Sequence, residues 1–424
     1  MNEAIRAQTT AGMRGWQEET VTQATTAVEF DPFSMEFYNG AQDIYARLRA
    51  EAPVYYNEQY DFYALSRHAD VAPAYRDYET FSSAKGVDLS AVRTGQDAAF
   101  KSIITLDPPE HRYMRSLVSK VFTPRAIAGL REMVTDRIGF YLNQNKGKAE
   151  FDLIQDFSAL FPIDIVSRML GVPEDERTQV RVWTDELLYR DVGQVELDER
   201  GIKAVIAITR YYHALAKKRR DEPQDDMISR LIEARVERTD DQPPSLSNIE
   251  IAMFGALLGG AGAETVAKLI GGAGVIFSEH QDQWQELYND RSKIGDAVEE
   301  LLRISSPNQY NVRYLTKEIE LHGVTIPAGK PIFLLIGSAN LDPEAWTDPD
   351  VFNINRNLRE APNLAFGYGL HSCLGAALAR LESSIALDMM LDFMPRFEVD
   401  RANCKRVTMQ NVAGWNNVPT RVLA

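Results

Sequence analysis

The sequence predicts a mainly α fold with small β-sheets. Apolar residues recur at three- and four-residue spacing along most of the chain, strand-like alternation is confined to two short regions, and no internal repeat or low-complexity run breaks the pattern. The first strand-like region holds PVYYN and FYALS, around Tyr55 and Tyr63. The second lies between Tyr310 and Leu335, where EIELHGVTIPAGKPIFLL alternates and turns at Gly323 and Gly329. Helical spacing covers 112–121, 124–143, 157–170, 174–188, 198–220, 247–279, 281–290, 293–303 and 374–393. In the last of these, Leu374, Leu378, Leu381, Ile385 and Met389 form one stripe that a helix would bury. A polar, turn-rich stretch at 238–248 reads as an interhelical loop. The chain as a whole reads as a flexible arm over 1–28 followed by a single domain over 29–424.

Composition narrows the function. With 424 residues, 45% hydrophobic and 25% charged, the chain is an ordinary globular protein whose core is not limited by size. A net charge of -15 argues against nucleic acid or an anionic membrane surface as main partner, since both select Lys and Arg. Two cysteines, Cys373 and Cys404, make no disulfide framework and suit a reducing compartment. The N-terminal residues carry no apolar h-region, so no signal peptide or anchor is expected, and cytoplasm is the default. The segment 251–277 imitates a membrane span, but Glu264 and Lys268 would each cost roughly 2.5 to 3.5 kcal/mol at its centre; it reads as a buried helix.

The stretch AFGYGLHSCLGAALARLE, 365–382, sets a lone cysteine just before an amphipathic helix, where unpaired N–H groups favour the thiolate. Gly367 and Gly369 upstream, with Gly375 and Ala376 downstream, leave room for a flat, bulky object. A buried structural cysteine, a nucleophile and a metal ligand compete here. His371 is a weak base for a nucleophile, and a zinc site lacks partners, because the chain has no CxxC and its six histidines are not paired at ligand spacing. A thiolate ligand to a porphyrin iron needs only this one cysteine.

FGYGLHSCLG, 366–375, matches every fixed position of FGxGxHxCxG and so resembles the haem-binding signature of the cytochrome P450 family. The resemblance implies that family's fold, a triangular prism with an α-rich domain and a minor β region. It also implies haem b with Cys373 as axial thiolate ligand, O2 as co-substrate, and Phe366, Gly367 and Ala261 beside the cofactor. Three distant segments agree with it. ELLR, 300–303, resembles the ExxR pair, with Glu300 and Arg303 joined by Arg356 in structural support of the cysteine loop. In DPPEHRYMRSLVSKVFTP, His111 and Arg115 share a helix face, and the resemblance assigns them, with Arg313 and His371, to the haem propionates. AGAET resembles AGxET, which puts Thr265 beside dioxygen and Glu264 on the proton path. Gly259, Gly260 and Gly262 precede that pair within one turn, each at a cost of about 1 kcal/mol in a helix interior. Close helix packing and a local groove both account for them, and the groove is the better account.

The implied activity is monooxygenation: one atom of O2 enters a lipophilic small molecule by hydroxylation or epoxidation, with electrons from a ferredoxin and ferredoxin reductase. A non-catalytic haem-thiolate ligand-binding or sensor protein and a peroxide-driven peroxygenase are the alternatives, and the Glu264–Thr265 pair speaks against both. Between 110 and 125, Arg112, Arg115, Lys120 and Arg125 face only Glu110, a basic island which, with Arg380, suits an acidic ferredoxin. The protein is expected to act as a monomer. The family's pocket regions map to Val87, Leu89, Leu257, Tyr310, Val312 and Trp415, with Asn308, Gln309, Asn311 and Asn416 as polar points. Either PNQYN meets an oxygen or nitrogen function of the substrate, or its amides satisfy backbone groups in a kinked strand.

Overall fold

The computed structural model describes residues 28–98, 101–120, 122–235 and 244–423. The expected arm, apart from Val28, and residues 238–243 of the expected loop lie outside them.

The long helix Asn248–Glu279 organises the molecule. Ser247 starts it: its hydroxyl accepts from the Glu250 N–H at 3.3 Å while the Glu250 carboxylate accepts from the Ser247 N–H at 2.7 Å, satisfying two end donors reciprocally. This helix is long and apolar enough to cross a membrane, yet Val266, Leu269, Ile270, Ala273 and Phe277 are buried in one core with helices Arg131–Asn143, Phe161–Leu170, Ile294–Ile304 and Ala376–Phe393. Its glycines admit close neighbours from three segments, among them helix Glu199–Asp221 and the turn Ile154–Ser158. A side-chain carbon on Gly255 would stand 2.8 Å from the Tyr212 ring, one on Gly262 3.0 Å from Val166, one on Gly271 2.0 Å from Ile154 and one on Gly274 2.2 Å from Leu153. Only Gly260 opens on space. The groove expected of Gly259, Gly260 and Gly262 therefore narrows to Gly260, because Gly262 serves helix packing and Gly259 faces Tyr212.

The main sheet has five strands in the order Val54–Asn57, Phe62–Leu65, Pro331–Leu335, Tyr310–Leu315 and Phe81–Ser82. Its second and third strands run parallel, and the other pairs are antiparallel. Alternate residues of Pro331–Leu335 enter different cores, with Phe333 and Leu335 on one face and Ile332 and Leu334 on the other. Both strand regions read from sequence are present. The strands Glu150–Asp152, Phe397–Val399 and Pro419–Val422, which make a second sheet, were not expected: each has only three or four residues and carries too little alternation.

Three expected helices are interrupted, among them the span 157–170, whose first residues belong to a π-helical turn, Ile154–Ser158, ahead of Phe161–Leu170. The span 124–143 splits into Pro124–Ala128 and Arg131–Asn143, and the span 174–188 opens with a 3-10 turn before Arg177–Leu188. The cysteine helix begins at Ala376, so Leu374 falls outside it. Its buried face is centred on Leu378, Glu382, Ile385, Ala386 and Met390, leaving Leu381 and Met389 only partly covered.

The loop leading to Cys373 is tied down by one buried carboxylate. Glu300 and Arg303 have fully buried side chains and pair at 2.8 and 2.9 Å; Arg356 Nε reaches both Glu300 oxygens at 3.0 Å. The guanidiniums then spread to the backbone. Arg303 donates to the carbonyls of Asn340 and Pro349 at 3.0 and 2.7 Å, and Arg356 to those of Asp348 and Val351 at 2.9 and 2.6 Å. Replacing Glu300 by Ala strands two guanidiniums and should cost about 3 to 5 kcal/mol, read as a lowered urea midpoint. A loss below about 1 kcal/mol, the surface-pair range, would mean that the network is dispensable.

Candidate functional site

Beside the long helix lies a cavity of about 450 Å³, mostly apolar in its lining. Cys373 opens onto it from the loop ahead of helix Ala376–Phe393. That loop closes on itself, with the Cys373 N–H donating to Phe366 O at 2.8 Å. Gly369, at φ +75°, passes so close to the next segment that a side-chain carbon would stand 2.8 Å from Tyr75 O. Burial pushes the Cys373 thiol up, against the opposing pull of the Gly375 N–H, Arg115, Arg380 and the Ala376 N–H. The backbone N–H groups of Gly375 and Ala376 at the helix start pull towards the thiolate, and burial of the sulfur in the loop pulls against it. A cation bonded to the sulfur would supply the missing stabilisation.

Across the cavity from the apolar lining sits a cationic corner. His111, Arg115, Arg313 and His371 all line it, and the two imidazole rings lie 4.3 Å apart between centroids. His111 Nδ1 and Nε2 and His371 Nε2 are buried without a hydrogen-bond partner. Burial, then Arg313, His111 and Arg115, push the His371 imidazole down to about 3; burial, then Arg115, lowers that of His111. Orphaned donors and crowded guanidiniums at the edge of a cavity are what a ligand with two carboxylates would relieve. Together with the one thiol among the described lining residues and the gap at Gly260, the donor set fits haem.

The opposite wall comes from the long helix. Ala261 and Thr265 face the cavity, the Thr265 hydroxyl donating to Ala261 O at 3.0 Å. Glu264 is buried, and Lys268 Nζ stands 3.1 Å from its Oε2, off the hydrogen-bonding direction. Lys268 in turn passes over Gly414, where a side-chain carbon would lie 2.6 Å from Lys268 Cβ. Asp185, on helix Arg177–Leu188, has its carboxyl pushed up to about 6 by burial and by the charge of Glu264, although about half its side-chain surface reaches solvent.

Several expected pocket residues lie elsewhere. Val87, Leu257, Asn308 and Asn311 line the cavity. Tyr310 and Val312 do not: strand alternation turns them to the opposite face, against Phe333, while Asn311 and Arg313 share the cavity face. Leu89 is buried in that same second core, and Gln309 is held by Tyr45 Oη at 3.1 Å and by Ser306 O at 2.5 Å. Trp415 is covered by Arg406 and Arg401, 3.6 and 4.9 Å from its ring centroid, and the Asn416 carbonyl accepts from Gln155 at 2.5 Å. Leu187, at the start of a pocket region expected over 187–208, lines the cavity, whereas the sequence missed Ile104, Met227, Gln410, Asn411 and Val412, which join the lining from short segments that periodicity does not mark. In the basic island Arg112 and Arg125 are exposed, Lys120 donates to Arg235 O at 2.7 Å, and Arg380 is paired with Glu299 while lying over the Phe366 ring.

A family model described as cytochrome P450 matches residues 195–420. The protein named cytochrome P450 123 in Mycobacterium tuberculosis is 36% identical, over 96% of this chain and all of its own length. Among solved structures, cytochrome P450 CYP109Q5 from Chondromyces apiculatus superposes with a TM-score of 0.83 at 28% identity, covering 94% of this chain and 99% of its own. CYP109E1 from Bacillus megaterium, solved in complex with corticosterone, superposes with a TM-score of 0.80 at 28% identity, covering 91% and 99%.

One residue on the cavity wall escaped the sequence reading altogether. Glu382 sits inside the apolar stripe of helix Ala376–Phe393 at 1% exposure; its Oε2 has no partner, and burial raises its carboxyl well above the usual carboxylate range. An acid among Leu378, Ile385 and Ala386 was the available signal. The folded state keeps this proton where the unfolded chain has lost it, so the group's contribution is full below the unfolded value of about 4.3 and falls as pH rises. Glu382→Gln should therefore gain thermal stability over the parent from about pH 4 to pH 8. A gap that does not widen over this range would show that the carboxylate is stabilised in place.

Proposed function

The chain belongs to the cytochrome P450 family, and from that premise we propose that residues 29–424 act as one catalytic unit oxygenating a lipophilic small molecule. The family makes it a monooxygenase; hydroxylation or epoxidation, ferredoxin-borne electrons and a cytoplasmic setting complete the reading. The observation that carries it is the meeting of Cys373, the cationic corner and the Glu264–Thr265 wall on one cavity.

In this reading Cys373 Sγ holds haem b, Phe366, Gly367 and Ala261 lie beside it, and His111, Arg115, Arg313 and His371 receive its carboxylates. When bound, the haem supplies thiolate-ligated iron chemistry that activates O2. The protein manages protons and water around it. Thr265 Oγ1 delivers a proton into the cavity, and the buried Glu264 carboxyl, steadied by Lys268, replaces it. Half-exposed Asp185 connects Glu264 to solvent. A passive ligand-binding protein has no use for such a chain of acids, which favours turnover. The corticosterone held by the CYP109E1 relative supports a substrate that is lipophilic and oxygenated. Exposed Arg112 and Arg125 remain to attract an acidic ferredoxin, whereas Arg380 is already committed to Glu299.

The reduced protein should bind carbon monoxide with the red-shifted Soret band of thiolate ligation; a histidine-type band would overturn the assignment of Cys373. Thr265→Ala should still consume reductant while directing most of it to hydrogen peroxide, with product per electron falling by about tenfold or more. Peroxide and product assays on the same sample check this, and unchanged coupling would remove Thr265 from the proton path.

A further inference from the structure

The cavity carries a polar rail that the oxygen chemistry does not use. Residues 307–309 pair with 411–413, the Gln309 N–H donating to Asn411 O and the Ala413 N–H to Pro307 O, both at 2.8 Å. This pairing sets three cavity-lining amides in a row. Asn411 Nδ2 donates to Asn308 Oδ1 at 3.0 Å and Asn308 Nδ2 to Asn311 Oδ1 at 3.4 Å, while Tyr75 Oη donates to the same Asn311 oxygen at 2.8 Å.

The direction of this row is fixed from its Asn411 end. Asn411 Nδ2 also reaches the Tyr310 carbonyl at 3.3 Å, an acceptor that cannot exchange roles, so its oxygen points the other way. At the far end the buried Tyr75 hydroxyl donates to the oxygen that this order turns towards it, at 2.8 Å. The Asn311 oxygen is thus taken twice, and its Nδ2 makes no hydrogen bond to any described residue. That nitrogen is not among the buried unpartnered atoms, so it is accessible, on a residue that lines the cavity.

We propose that Asn311 Nδ2 is the donor that selects a neutral lipophilic substrate bearing a carbonyl or ether oxygen, with Asn411, Asn308 and Tyr75 as positioning residues. The neutrality follows from the charges: among described lining residues the cationic groups are Arg115 and Arg313, with His111 and His371, all assigned above to the haem carboxylates. The proposal rests on that reading. Asp88, also on the wall, caps helix Leu89–Val92 through Oδ1, accepting from the Ala91 N–H at 2.9 Å and the Ser90 hydroxyl at 2.6 Å, and its charge is offset by that of Arg190. A hydrocarbon would leave the Asn311 donor unmet in an otherwise apolar cavity, whereas an oxygen acceptor satisfies it.

Three probes of matched size test this on the holoenzyme: cyclododecanone, cyclododecane and dodecanoate, with binding read from the spin-state shift and equilibrium dialysis. Asn311→Asp keeps an oxygen for Tyr75 and Asn308 but replaces the free donor; Tyr75→Phe/Asn311→Leu removes the donor without orphaning the hydroxyl. In both, the ketone-to-hydrocarbon affinity ratio should fall by about five- to tenfold relative to the parent. A ratio unchanged in both variants overturns the role of Asn311, since a merely structural residue would shift both probes alike. Dodecanoate binding tightest in a protein with the thiolate Soret band overturns the neutrality. The same preference in a protein lacking that band overturns the reading of the cationic corner instead.

Discussion

The site depends on one buried carboxylate shared between two guanidiniums. Glu300 lies on helix Ile294–Ile304 and Arg356 some fifty residues later, in the irregular chain that leads to Cys373. That chain contains little regular structure between Ile336–Ala339 and the cysteine helix, so few ladder hydrogen bonds hold it. Arg303 and Arg356 instead bond five of its backbone carbonyls, at Asn340, Thr347, Asp348, Pro349 and Val351. Each guanidinium has more donors than a single carboxylate can occupy, and the surplus orders the loop. A Lys at either position would carry the charge without the fork.

The cavity separates its charges by task. The cations His111, Arg115, Arg313 and His371 gather at one corner; the acid Glu264 comes from the long helix, with Asp185 behind it; the neutral amides Asn308, Asn311 and Asn411 bond to one another in a row. Strand alternation accounts for part of this, because Asn311 and Arg313 are two residues apart on one face of Tyr310–Leu315 and serve different walls of the same space. Low dielectric makes the separation matter, since a misplaced charge in such a space is poorly screened.

How much of this was legible in the sequence depended on the length of the signal. The long helix, to within a residue of its observed start, and the stripe around Ile385 could be read because periodicity extends over many residues. The motifs located Cys373, Glu300, Arg303, Arg356, Glu264 and Thr265 on elements that the structure brings together. Sequence reasoning failed where the outcome depends on contacts between distant short segments. The face of Tyr310 was decided by Phe333, the partnership of Asn308 with Asn411 by a turn a hundred residues away, and the commitment of Arg380 by Glu299. The three-glycine run was ambiguous for the same reason, since only the arrival of Val166 distinguishes Gly262 from Gly260.

The close passage of Lys268 over Gly414 makes these regions mechanically continuous. Gly414 follows the Asn411–Ala413 segment that builds the amide row, and Lys268 is the ion partner of Glu264. With no side chain between them to act as a cushion, a shift of this turn presses directly on the lysine stem. In the proposed reading, the turn beside the amide row thus meets the lysine that pairs with the proposed proton donor by steric contact, not by charge.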